Sequence, residues 1–221
     1  MLRVGTGQHR TARALTAGFD EAGDVMKKRS LLCAAVAVSA VAACAPLSSE
    51  IVRERLDERT GVTVTSMSAP LEFFSPQPER GLQAASFAYL GPIEINRTGQ
   101  RQSYLWLSVL LGEDERRRNP AGTRGAPQLR ITAGGITLEP SPVGTDARQV
   151  GLGHRVYERP ADWVGEAFYA VTDEQLVQLA AADTVTLEIS APNEEPRRYE
   201  AWKVDRSGLR SFVERIGAET P

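Results

Sequence analysis

Beyond Gly61 the apolar positions come in short runs of period two broken by Pro, Gly and Asn, the pattern of strands with one wet face. Val62 to Thr65 alternates, Leu71 to Phe74 follows Pro70, and Ala85 to Leu90 runs up to Gly91 and Pro92. Ile93 to Arg101 then turns at Asn96 to Gly99 into Ser103 to Leu111. Within it, Tyr104 to Leu111 is the longest apolar run after residue 44 and predicts a central strand covered on both faces. Gly134 and Gly135 join Gln128–Ala133 to Ile136–Glu139 as a two-residue hairpin. Pro140 to Gly153 reads as a loop, after which His154 to Tyr157 starts a strand. Glu166 to Val171 is a further strand, and Thr172 with Gln175 forms a capping box ahead of a short helix bearing Leu176, Leu179 and Ala180 on one face. Val185–Ser190 and Arg198–Val204 pair around Pro192 to Pro196, and Asp205 or Ser207 caps a last helix carrying Leu209, Phe212, Val213 and Ile216. The expected fold is mainly β: an antiparallel β-sandwich, immunoglobulin-like or similar, with two short helices near the C-terminus, built from residues 62–221 as a single domain.

Upstream the pattern changes. Residues 45–61 are polar, with Leu47, Ile51, Val52 and Leu56 scattered among charges. Ser48 or Ser49 caps a helical turn or two ending at Gly61, so residues 44–61 read as a tether. Before it, Lys27, Lys28 and Arg29 precede the apolar run Leu31 to Val41, which stops at Val41-Ala42-Ala43-Cys44. Positive charge holds the first part on the cytoplasmic side while the apolar run enters the bilayer, and small side chains give a peptidase access to the backbone. The run is shorter than the roughly 20 residues that span a bilayer as a helix.

Residues 26–43 with Cys44 resemble the signal of bacterial lipoproteins, whose lipobox ends in two small residues and a cysteine. The resemblance implies cleavage between Ala43 and Cys44, a diacylglycerol on the Cys44 thiol and an acylated new amino group. One acyl chain holds a membrane only marginally, at about 0.8 kcal/mol per buried CH₂, whereas three make the attachment effectively permanent. Ala45 in place of aspartate implies, in an organism with two membranes, the outer membrane facing the periplasm. A cleaved signal with a chance cysteine and a short transmembrane anchor are the alternatives. Residues 1–25 have no steady apolar period and set the signal far from the N-terminus, so translation is expected to start at Met26, with residues 1–25 an over-extended, disordered reading.

Composition narrows the chemistry. From Cys44 onward the chain has 178 residues, with 20 basic and 25 acidic side chains, a net charge of −5. That suits one domain and makes nucleic acid a poor partner. Cys33 lies in the signal and Cys44 takes the lipid, so neither a disulfide nor a thiolate metal site is expected. With His9 in the doubtful extension, His154 is the remaining histidine, and no metal or cofactor is implied.

Three features carry candidate chemistry. His154 with Asp162, Glu166 and either Ser141 or Ser103 is the best catalytic constellation, although no nucleophile-elbow motif supports it. Trp106, Trp163 and Trp202 offer a stacking platform for a sugar, or else two of them lie in the core. Arg116, Arg117 and Arg118 form a contact patch for an acidic partner or lipid headgroups, or, balanced by Glu113, Asp114 and Glu115, a solvated loop. The order of elements in the last fifty residues resembles, in outline, small periplasmic β-sandwich proteins such as the invasion-associated locus B family. The expected function is a lipid-anchored envelope protein that binds another envelope protein or serves a structural role without catalysis. An envelope-glycan-binding module or a hydrolase using His154 is the alternative.

Overall fold

The alternating runs become strands of one continuous sheet, and all of its pairings are antiparallel. The computed structural model describes residues 51–76, 85–112, 125–162, 164–190 and 195–218. The strands are β1 (Val52–Asp57), β2 (Val62–Met67), β3 (Leu71–Ser75), β4 (Ser86–Arg97), β5 (Gln100–Leu110), β6 (Gln128–Ala133), β7 (Ile136–Leu138), β8 (Ser141–Gly144), β9 (Glu166–Val171), β10 (Val185–Ser190) and β11 (Arg197–Lys203). Helices α1 (Asp173–Ala181) and α2 (Arg206–Ala218) follow β9 and β11, and a short 3-10 helix spans Ala147–Val150.

The antiparallel, mainly β class with two helices near the C-terminus is as the pattern predicts, but the layers form differently. In place of two separate sheets, one sheet curls into a half-barrel in the order β7-β6-β10-β11-β3-β4-β5-β9-β8, with β2 and then β1 branching from β4. The terminal strands of that order are consecutive in the chain. Leu138 ends β7 and Ser141 begins β8, so two residues, Glu139 and Pro140, join the two edges across at most about 10 Å of extended chain.

Strand β4 is the axis of the curl. Along one edge it pairs with β5 over its whole length, and along the other it meets β2 and β3 end to end. Ser66 faces Ile93 and Leu71 faces Leu90, so the four residues Met67 to Pro70 lie opposite only Gly91 and Pro92. That two-residue excess breaks the ladder and forks the sheet, since β1 extends it from β2 and β11 from β3. It also explains a proline in mid-sheet. A residue's nitrogen and carbonyl point to the same side of a strand, and the Pro92 carbonyl is bonded at the break, so the missing N–H costs no ladder bond.

The Tyr157 hydroxyl fills the break. It donates to the Pro92 carbonyl at 2.7 Å and accepts the Met67 N–H at 3.2 Å, joining the strand ends that cannot reach each other. The ring lies over Gly91, where a Cβ would stand 2.3 Å from a ring carbon, and tilts against Trp106 with centroids 5.2 Å apart. Burial pushes the Tyr157 pKa far up, so the hydroxyl keeps its proton for Pro92.

The two faces of the sheet hold separate cores. The inner face contributes Leu90, Leu105, Leu107, Tyr169 and Leu187, packed on Leu176 and Leu179 of α1 and Leu209, Phe212 and Ile216 of α2. The outer face of β2, β4, β5 and β9 contributes Val64, Ile93, Trp106 and Phe168, covered by Val150, Leu152 and Tyr157. Thr172 caps α1 by accepting the Gln175 N–H at 3.2 Å while Gln175 accepts the Thr172 N–H. Asp205 caps α2 through the Gly208 N–H at 3.0 Å. At the two hairpin turns, Thr98 and Gly99, and Gly134 and Gly135, all have positive φ, the geometry that a two-residue turn requires.

Three expectations need correction. The tether was expected to run to Gly61 with a helical turn, yet Val52–Asp57 is a strand paired residue for residue with β2, and residues 49–221 form one compact unit. The exposed charges of Arg53, Glu54 and Arg55 give it a polar look, but its backbone bonds come from β2. The loop at Pro140–Gly153 contains β8 and the 3-10 helix. The strand expected from His154 is irregular chain, because Tyr157 turns into the break in place of pairing. The capping serines Ser48 and Ser49, the signal and residues 1–25 lie outside the described residues.

Candidate functional site

Alternation along β4 sets out the outer face. Phe87, Tyr89, Gly91, Ile93, Ile95 and Arg97 share it. The chain from the 3-10 helix to Tyr157 covers the middle, from Gly91 to Ile95, and leaves a site at either end: an aromatic patch around Phe87 and a polar cleft around Arg97.

The aromatic patch centres on Trp202, 47% exposed, at the bulge in β11 where pairing with β3 shifts register. Its ring meets Phe74 edge-on at a centroid distance of 5.1 Å and Phe87 at 6.4 Å. Phe74 and Phe87 face each other across β3 and β4, and Leu110 faces Phe87 from β5, so the register puts all three on one side of the sheet. Charged pairs border them: Lys203 with Glu72 at 3.5 Å, and Arg198 with Glu200 at 3.8 Å. A groove of about 390 Å³ between Ser75 and Arg198 adjoins the patch.

At the other end, the polar cleft lies between the β4–β5 hairpin and the 3-10 helix and measures about 400 Å³. Arg97, Gln100, Gln102 and Tyr104 line one wall, and Arg148 and Gln149 the other. Asp146 caps the 3-10 helix and grips Arg148 with both oxygens, and the Arg148 guanidinium holds the Asp146 pKa down to about 2.

The catalytic constellation does not assemble as expected. His154 sits beside Asp57, Nδ1 to Oδ1 3.2 Å, a partner that its sequence neighbourhood does not reveal. Asp57 is buried and also accepts the Gly153 N–H at 2.6 Å and the Arg59 N–H at 3.1 Å. Burial alone raises its pKa, but those hydrogen bonds and His154 outweigh it and hold the carboxyl below the usual aspartate value. Glu166 accepts the Trp106 indole N–H at 2.9 Å and lies 3.5 Å from Arg155. Ser103 shares the inner face with Leu105 and donates to Asp173 at 2.8 Å, across the sheet from the His154 loop. Ser141 and Asp162 are exposed, and neither has a hydrogen bond to His154. The arrangement ties the β1–β2 turn to the Gly153 loop and brings neither Ser103 nor Ser141 to the imidazole.

Of the tryptophans, Trp106 is buried and Trp202 exposed, so these two do not share a platform; Trp163 lies outside the described residues. Arg116, Arg117 and Arg118, with Glu113, Asp114 and Glu115, also lie outside them, as do Ala43 and Cys44. Trp202 was legible as a candidate, but the cluster with Phe74 and Phe87 needed the β3–β11 pairing, and the Arg97–Arg148 cleft joins residues about fifty apart with no local motif. No protein-family model matches the chain, and no curated protein or solved structure matches it significantly. The outline likeness to the invasion-associated locus B family therefore gains no support.

Proposed function

We propose that the protein is a lipid-anchored component of a bacterial cell envelope, held at the outer membrane facing the periplasm through Cys44, and that it binds another envelope protein without catalysis. Residues 26–44 support the anchor by their charge, apolar run and small-residue cysteine motif. The aromatic patch carries the binding reading. A half-exposed tryptophan braced edge-on by two phenylalanines is a rigid apolar anchor, and its border of paired charges matches the polar rim around the buried centre of a protein interface. The partner is accordingly a protein offering an apolar pocket, and not a glycan that would stack on a flat open ring.

The test is chemical crosslinking in intact membranes of the wild-type chain and a Trp202→Ala variant. A discrete crosslinked species in the wild type, reduced at least about tenfold in the variant at equal abundance, is the expected result. A species that persists unchanged in the variant contradicts the assignment of the patch.

A further inference from the structure

The polar cleft has an uneven hydrogen-bond inventory. Gln149 turns its amide oxygen into the loop, where it accepts the Thr145 N–H at 2.7 Å and the Asp146 N–H at 3.0 Å. Both partners are backbone donors, so the amide orientation is fixed and its two N–H groups are left over. Gly144 permits this, since a Cβ there would stand 2.1 Å from the Gln149 oxygen. Across the cleft, Gln102 accepts the Tyr104 hydroxyl at 2.6 Å, which occupies its oxygen and leaves its N–H₂. Arg148 commits Nε and one terminal nitrogen to Asp146 and keeps the other.

Arg97 completes the set. Among the described residues its guanidinium has no ion pair or side-chain hydrogen bond, and it lines the cleft. It lies across Gly151, with a terminal nitrogen 2.7 Å from where a Cβ would be, and Gly151 needs its left-handed φ of 85° to end the 3-10 helix. The same glycine thus makes the turn and admits the arginine. The uncommitted groups facing the cleft are mainly donors, one of them a cation without a counter-ion, and the lining holds no carboxylate.

The geometry points to a second binding site in this cleft, for a ligand of monosaccharide size that carries an oxyanion, phosphate or carboxylate. Oxyanions supply acceptors only, and a guanidinium meets them with charge-assisted, two-point hydrogen bonds. The volume falls in the lower part of the range for small-molecule sites, about 300–1,000 Å³, and exceeds what a bare ion needs. This site lies at the opposite end of β4 from Trp202, so it stands or falls independently of the protein-binding patch.

Isothermal titration of the full chain in detergent, with glucose 6-phosphate, glucuronate and glucose as probes, tests it. The site predicts that at least one anionic sugar binds at least about tenfold tighter than glucose and that Arg97→Gln removes the preference. Tighter binding of glucose 6-phosphate identifies the anion as phosphate, and tighter binding of glucuronate as carboxylate. Arg97 is exposed, so the variant's denaturation midpoint should match the wild type, and Trp202→Ala should leave the titration unchanged. Equal binding of glucose and both anions, no binding of either anion, or an unchanged preference in Arg97→Gln would overturn the assignment.

Discussion

Gly91→Ala distinguishes packing at the break in the sheet from ordinary strand propensity, because the two predict opposite signs. Glycine weakens a strand interior, and the φ of Gly91 is not in the left-handed region, so on backbone grounds alanine should stabilise by about 0.5–1 kcal/mol. The added Cβ, however, would stand 2.3, 2.5 and 2.8 Å from three carbons of the Tyr157 ring, where about 3.5–4.0 Å is comfortable. The ring would have to retreat by more than about 1 Å. It is held by Met67 and Pro92 through its hydroxyl and is packed against Trp106. Overpacking a well-filled site costs about 1–3 kcal/mol. If the ring is displaced, two buried backbone groups lose their partner, at about 0.5–1.5 kcal/mol for each hydrogen bond. The expected cost is therefore about 2–6 kcal/mol, against the propensity gain. Urea denaturation of wild type, Gly91→Ala, Tyr157→Ala and the double variant measures it, provided the slope stays constant. In the Tyr157→Ala background the clash is gone, so Gly91→Ala should cost much less and the cycle should show strong coupling. A neutral or stabilising Gly91→Ala in the wild-type background, or simple additivity, would refute the packing account.

Two further predictions concern the contacts that hold the loops and helices. Asp57 has a depressed folded-state pKa, so its stabilising contribution is fully present above the ordinary aspartate value of 3.8 and is lost as pH falls through the lower folded value. Denaturation midpoints measured from pH 6 to pH 2, at about one-unit steps, should show an acid-induced loss in the wild type that Asp57→Asn reduces. Thr172→Ala removes the oxygen that accepts the Gln175 N–H and should cost about 1 kcal/mol by urea denaturation, with the outer-face contacts of Tyr157 unaffected in near-ultraviolet circular dichroism.

The parts of the fold that were legible in the sequence are those with local causes. The Gly134-Gly135 hairpin, the Thr172 capping box and the Asp205 cap each lie within a few residues of the partner they need, and each forms as the spacing predicts. The burial of Tyr104–Leu107 followed from an apolar run too long for a one-sided strand. What was not legible depends on distant partners. β1 reads as polar chain because its order comes from β2, and its charges bind elsewhere, as Glu54 does to Arg215 of α2 at 2.5 Å. Gly91-Pro92 looks like a strand end, but pairing with β5 carries the strand through it, and Tyr157, 65 residues beyond Pro92, binds the carbonyl left at the break on the other edge. The same limit applies to function. His154 was visible as an isolated titratable residue, but Asp57 is 97 residues away. The outer-face cleft and the Phe74–Phe87–Trp202 cluster likewise exist only once β4 has set its partners.

The proposed anchor at Cys44 would govern where such binding takes place, so intact-mass analysis of the membrane fraction from cells expressing the native gene, beside a Cys44→Ala variant, is the most direct test of the proposal. The expected result is a membrane-bound chain beginning at a Cys44 that carries acyl chains, and a variant that is left unprocessed or released. An unmodified soluble chain that still contains residues 26–43 would contradict it.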